Sequence, residues 1–330
     1  MKNLLNKAVA GLCLAVSLVS GAAAADKVVV SYLPTLHSLP LFVAINEKMF
    51  ERAGLQIEAV KFENPNQIVD SLVSGRADSA PSGGAAGIVA LADTRFPGAL
   101  RVFGLQGSSK VNKGFNDTLI VAKGSPIKSF SDLKGKRLAH VPGIQWRTIA
   151  RTIIKANGLD PDKDVQLAEM AVGLHAQAVS SKTVDAALTL EPIGSIAVAS
   201  GAVEARLMNP AGDFIADPFW AGVGVVTTKF LKERPAVAKR FIEVIDQAVD
   251  MINKDYPSYR KHLVGYTAVT PELLNTVAPM WFVSSRTMTD KDVAAYQTFA
   301  DIFVTDGAMK TKIDVSKLIL RQPEIQKLSK

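Results

Sequence analysis

The sequence predicts an α/β fold of two lobes, each a mostly parallel sheet covered by helices, with a cleft between them. Three observations lead there. Short β-branched stretches alternate with amphipathic ones over the first two-thirds of the 330 residues, as in parallel sheets wrapped by helices. A β-α-β-α-β unit occurs twice: SLVSGRADSA at 71–80 echoes AVSSKTVDAA at 178–187, each ending a helix, turning, and entering a strand through Asp78 or Asp185. Finally, the last third is helical and must pack on something already built, so the chain returns to complete the first lobe.

In the first unit, 28–33 reads as a strand, 41–52 as a helix stopped at Gly54, and 55–62 as a strand. Asn64-Pro65 has the form of an N-cap and first helical turn; Ile68, Val69, Leu72 and Val73 are its buried stripe, and Gly75 ends it. A short strand at 77–80 then opens into a loop at 81–84 and a small-residue helix, before a strand at 102–105. The second unit runs through strands at 118–122, 136–141, 165–170 and 185–190, with helices at 145–156 and 175–181; Gly158-Leu159 takes the place of Gly54-Leu55. Strands at 203–207 and 222–227 close this region. The strand 118–122 is read as the crossing into lobe two and 222–227 as the crossing back, so lobe one is 26–119 with 225–330 and lobe two is 120–224. Pro235 starts a long amphipathic helix, Pro271 a short one, and Thr289 with Asp292 has the spacing of a capping box.

Residues 1–25 read as a secretory signal peptide. Lys2 and Lys7 give a basic start, 8–19 an apolar run, and Ala23 with Ala25 an A-x-A cleavage site before Asp26. The run is shorter than the roughly 20 residues of a spanning helix. Cys13 is the only cysteine, and Leu12 before it does not suit lipid attachment. The processed chain is therefore expected to be free in the periplasm, with no thiolate, disulfide or cysteine metal ligand. Loss of Lys2 and Lys7 takes the formal charge from +7 to +5, and the excess is spread out, without the basic block that nucleic-acid binding needs.

In open α/β sheets ligands sit beyond the carboxyl ends of strands, beside helix N-termini. That rule selects four segments, two from each lobe. Tyr32, Thr35 and His37 follow the first strand, where a ring can stack on a flat solute or make one hydrogen bond. Ser82, Gly83 and Gly84 can form a nest of backbone N–H groups for an anionic oxygen, or simply a tight turn. Gln145, Trp146 and Arg147 open a helix; a cation there is not explained by the helix dipole, though a bound anion or plain solvation would explain it. Glu191 follows an apolar strand and can accept from an amine or pair with an arginine, and Trp220 can form a cleft wall or a hinge-side plug. The histidines at 37, 140, 175 and 262 have no metal-binding spacing, and there is no nucleophile elbow, Walker loop or dinucleotide fingerprint. No cofactor and no catalytic activity are expected.

PLFVAINEKMFERAGLQIE at 40–58, SLVSGRADSA, DTLIVAKGSPIKSFSDLKGKRLA at 117–139, EPIGSIA at 191–197 and the lead-in GVVTTKFLKERPAVAKRFIEVIDQAVDMI together carry a resemblance over nearly the whole processed chain. It resembles the periplasmic substrate-binding proteins of ABC importers in the nitrate/sulfonate/taurine group, which overlaps the thiamine-pyrimidine precursor-binding proteins. The resemblance implies a type II periplasmic-binding fold, a solute held in the cleft, and docking of the closed form, a monomer, on an inner-membrane ABC permease. Many members have hydroxyl-rich residues where this chain has Gly143-Ile144-Gln145-Trp146. That departure favours a larger, partly aromatic or heterocyclic solute bearing an acidic group, either a sulfonate or carboxylate or one that is pyrimidine-like, over nitrate, taurine or an aliphatic sulfonate. Two other readings stay open: a binder that feeds a membrane sensor, and an enzyme like the fungal thiamine-pyrimidine synthases, whose cysteine-rich segment is absent here.

Overall fold

The computed structural model describes residues 25–329. The export signal expected at 1–25, Ala25 aside, and with it Cys13, lies outside the described residues. Eleven strands form two sheets among them. They are β1 (Asp26–Tyr32), β2 (Leu55–Lys61), β3 (Ser79–Ala85), β4 (Leu100–Ser108), β5 (Asp117–Ala122), β6 (Lys136–His140), β7 (Val165–Glu169), β8 (Ala186–Leu190), β9 (Val203–Met208), β10 (Phe219–Thr227) and β11 (Trp281–Val283). The first sheet has the order β11-β4-β10-β3-β1-β2, the second β7-β6-β8-β5-β9.

Two α/β lobes are present, but their sheets are mixed rather than mostly parallel. β1 pairs in parallel with β2 and β3, and β6 with β7 and β8. β10 is antiparallel to β3 and β4, and β5 to β8 and β9. The reason is the connectivity. β5 and β10 each enter a sheet from the other lobe, without the crossover helix that keeps neighbours parallel. All of β5 belongs to the second sheet and all of β10 to the first, so the chain passes between sheets at 109–116 and 209–218.

The burial pattern follows the pleat. In β5, Leu119 and Val121 join one core cluster while Ile120 faces another; in β8, Ala186 and Leu188 alternate likewise with Ala187. On the first sheet, helices Leu39–Asn46 and Pro235–Lys254 cover one face with Phe42, Phe241 and Ile245. Helices Pro65–Val73, Ala86–Asp93 and Asp290–Thr305 cover the other with Ile68, Val89 and Phe299. Helix Ile144–Ala156 of the second lobe buries Trp146, Ile149, Ala150 and Ile153 on one face, in the same cluster. That cluster therefore runs unbroken through both lobes.

Local signals operate as their chemistry predicts. Asn64 Oδ1 accepts from Asn66 N at 2.9 Å, and Thr289 and Asp292 form the capping box. The helix expected at 41–52 is instead two, Leu39–Asn46 and Met49–Arg52, because Lys48 adopts a left-handed φ of 53°. The segment from Pro271 is a 3-10 turn, Pro271–Thr276. No described helix is long and apolar enough to cross a membrane.

Candidate functional site

The loops chosen from sequence converge between the lobes. A cavity of about 30 Å³ is lined by Leu33, Thr35, His37, Pro65 and Ala85 from the first lobe's loops and strands, by Gln145, Trp146 and Leu190 from the second, and by Ala221 and Gly222 of β10. Thr35, His37, Gln145 and Trp146 were selected from sequence. Leu33 extends the same first-strand loop. Pro65 begins the helix after β2, and applying the strand-end rule to β2 would have found it. Ala221 and Gly222 could not be found that way, because β10 is antiparallel to its neighbours and its strand end points elsewhere.

The Gln145 carboxamide joins the lobes. Its Oε1 accepts from Gly87 N at 2.8 Å and its Nε2 donates to Ala221 O at 2.9 Å, with the side chain only 3% exposed. Gly87 lies in the first turn of helix Ala86–Asp93, whose leading N–H groups have no partner inside the helix. A side chain at 87 is excluded: a Cβ would come within 2.1 Å of Phe303 Cζ. Trp146, 2% exposed, forms a wall of the cavity.

His37 is buried in the 3-10 turn Leu36–Ser38. Its Nε2 lies 2.9 Å from Asn116 Oδ1, while Asn116 Nδ2 donates to Asp117 Oδ1 at 2.8 Å. With the amide nitrogen committed, Asn116 Oδ1 is the acceptor and His37 carries its proton on Nε2. Burial lowers the His37 pKa to about 4, so the ring is neutral near pH 7. Asn116 and Asp117 also bind the two crossings together: Asn116 N donates to Asn209 Oδ1 at 2.7 Å, and Ala211 N to Asp117 Oδ2 at 3.0 Å. Burial pushes the Asp117 carboxyl up to about 7. Nothing in the sequence pattern singles out this network, since its members meet only after both crossings are in place.

The other candidates lie elsewhere or are already engaged. Arg147 is exposed, and among the described residues no lysine or arginine lines the cavity. Its position at the first helical turn is solvated surface. Ser82, Gly83 and Gly84 do not form a nest. β3 continues through them to Ala85, because β10 pairs there, Val223 with Gly84 and Gly222 with Ala85. Glycine at 84 permits that approach: a Cβ would stand 2.9 Å from Val223 O. Ser82 Oγ is buried without a partner. Tyr32 packs edge-on against Phe42, with centroids 5.4 Å apart, and does not line the cavity. Glu191 is buried and its pKa is raised by that burial; its oxygens accept from Thr118 Oγ1 at 3.1 Å and Ser195 N at 3.2 Å. Trp220 is 1% exposed in β10 with its Nε1 unpartnered.

A family model described as NMT1/THI5 like matches residues 36–256. The chain belongs to that family. A Brucella abortus (strain 2308) protein named only as a candidate binding protein is 26% identical over 322 residues, covering 92% of this chain and 93% of its own length. The 4-amino-5-hydroxymethyl-2-methylpyrimidine phosphate synthase of Schizosaccharomyces pombe is 24% identical over 239 residues, 69% of this chain and 66% of that one. Among solved structures, the periplasmic aliphatic sulphonate binding protein of Escherichia coli is similar at a TM-score of 0.70 and 17% identity, covering 90% of this chain and 92% of that one. This NMT1/THI5-like chain therefore has the two-lobed type II periplasmic-binding fold. Among its described residues no group of three or more His, Cys, Asp or Glu side chains could hold a metal ion.

Proposed function

We propose that the protein is the solute-binding component of an ABC importer. It works in the periplasm as a monomer and passes a small organic solute to an inner-membrane permease. The observation that carries this reading is the interlobe cavity, lined from both lobes and spanned by Gln145. A cavity of about 30 Å³ holds roughly one water, so the lobes must part to admit a solute and close again on it. We take the crossings at 109–116 and 209–218 as the hinge and as the lobe limits, with β5 wholly in lobe two and β10 wholly in lobe one. The Asn116–Asp117–Asn209 network ties the two hinge segments together.

Trp146 supports a partly aromatic or heterocyclic solute, and the pyrimidine named for the fission-yeast relative is of that kind. The sulphonate named for the E. coli protein supports a second reading, an organic sulfonate. The polar groups around the cavity are a neutral imidazole, a carboxamide, a hydroxyl and backbone, each able to hydrogen-bond a solute. A thermal-shift screen of pyrimidines, aromatic carboxylates and sulfonates, taurine and nitrate tests the reading, since a ligand of the folded state raises the unfolding midpoint. A saturable rise with one class is expected. No rise with any small solute would overturn it.

A further inference from the structure

The bonds of Gln145 define what the first lobe offers a bound group: one backbone donor, Gly87 N–H, and one backbone acceptor, Ala221 C=O, both within reach of a single carboxamide. Neither is charged. No cation lines the cavity among the described residues, and Arg147 is exposed. The space left beside Gln145 is too small for any organic solute. A solute that reaches this face must therefore take over the bonds that Gln145 makes.

We propose that Gln145 is an internal stand-in for the solute. Its carboxamide fills the polar subsite of lobe one when no solute is bound, and it is displaced by solutes with the same donor–acceptor edge: amides, lactams and amino-substituted nitrogen heterocycles. An anionic oxygen does not replace it well. It could accept from Gly87 N–H, but it would place its charge beside the Ala221 carbonyl and leave that acceptor unpaired, the costlier outcome in a buried site. The inference rests on the solute-binding reading of the cleft and narrows the solute class.

The test is chemical rescue. Thermal unfolding of wild type and Gln145→Ala is followed with increasing acetamide, cytosine or methanesulfonate. Gln145→Ala alone is expected to unfold at a lower temperature. Acetamide and cytosine should raise its midpoint saturably, with at least tenfold tighter apparent binding than to wild type, and methanesulfonate should not. Gln145→Asn, too short to make both bonds, should behave like Gln145→Ala and serves if the alanine variant does not fold. Equal stabilisation by methanesulfonate, or no probe binding the variants more tightly than wild type, overturns the proposal. If wild type binds a solute in the screen but the variants show no amide preference, the stand-in role falls and the binding function stands. If the variants take up acetamide while wild type binds no solute, both readings fall and the Gln145 bonds are a structural contact between the lobes.

Discussion

The two β-α-β-α-β units have the same strand order, β3-β1-β2 in one lobe and β8-β6-β7 in the other. Asp78 Oδ2 accepts from Val29 N at 2.9 Å in the first unit, and Asp185 Oδ2 from Arg137 N at 2.8 Å in the second. Gly54 and Gly158 turn with φ of 70° and 78°, while Gly75 and Lys182 share a left-handed turn at 73° and 60°. Beyond the strand ends the units part company. The first carries a buried histidine in a 3-10 turn, and its third strand runs on under β10. The second starts a helix directly at Ile144 and so presents Gln145 and Trp146. The repeated part is scaffold, and the proposed recognition chemistry lies in the segments where the repeat breaks down.

Trp146 has no counterpart in the first unit, and its loss should cost most. Trp146→Ala removes a side chain 2% exposed and is expected to destabilise by about 3–5 kcal/mol in urea unfolding while weakening solute binding. Unchanged affinity in a folded variant would remove Trp146 from the site.

Asp117, at the crossing between the units, should show itself through pH. The folded chain keeps a proton on this carboxyl up to about pH 7, whereas the unfolded chain releases it near 3.8. This group's contribution to stability therefore falls as pH rises from about 4 to about 7. His37, shifted the opposite way, is common to both proteins and cancels in the difference. Asp117→Asn should gain stability relative to wild type across that window; a flat difference would contradict the burial argument.

The paired aspartates test whether the scaffolds are equivalent. Asp78→Ala and Asp185→Ala each strip a strand amide of its acceptor, at a cost of about 1–3 kcal/mol. The cost should be larger at Asp78, whose side chain is 22% exposed against 34% and which lies 2.5 Å from Arg234. Equal costs would mean that the shared backbone contact is all that matters. The smallest contrast is at the left-handed turns. Gly75→Ala should lose about 1 kcal/mol, whereas Lys182→Gly should lose nothing, because lysine already bears the strain there.

The same division explains what was legible in the sequence. Caps at Asn64 and Thr289, the turn glycines and the echo around Asp78 and Asp185 are local signals, each decided within a few residues. Gln145 and Trp146 were reachable because a strand end followed by a helix is also local. The run of β3 through Ser82–Gly84 was not, since it depends on pairing with β10 far along the chain. The sheets' mixed direction and the Asn116–Asn209 contact likewise depend on where the chain crosses between lobes, which no short pattern encodes.

The claim that a solute is gripped between the lobes is tested most directly by small-angle scattering of the purified protein with and without the solute found in the thermal screen. The account predicts that saturating solute lowers the radius of gyration of wild type, along one binding curve, and leaves a folded Trp146→Ala protein unchanged at the same concentration. Saturable binding with no contraction, or the same contraction in the variant, would contradict it.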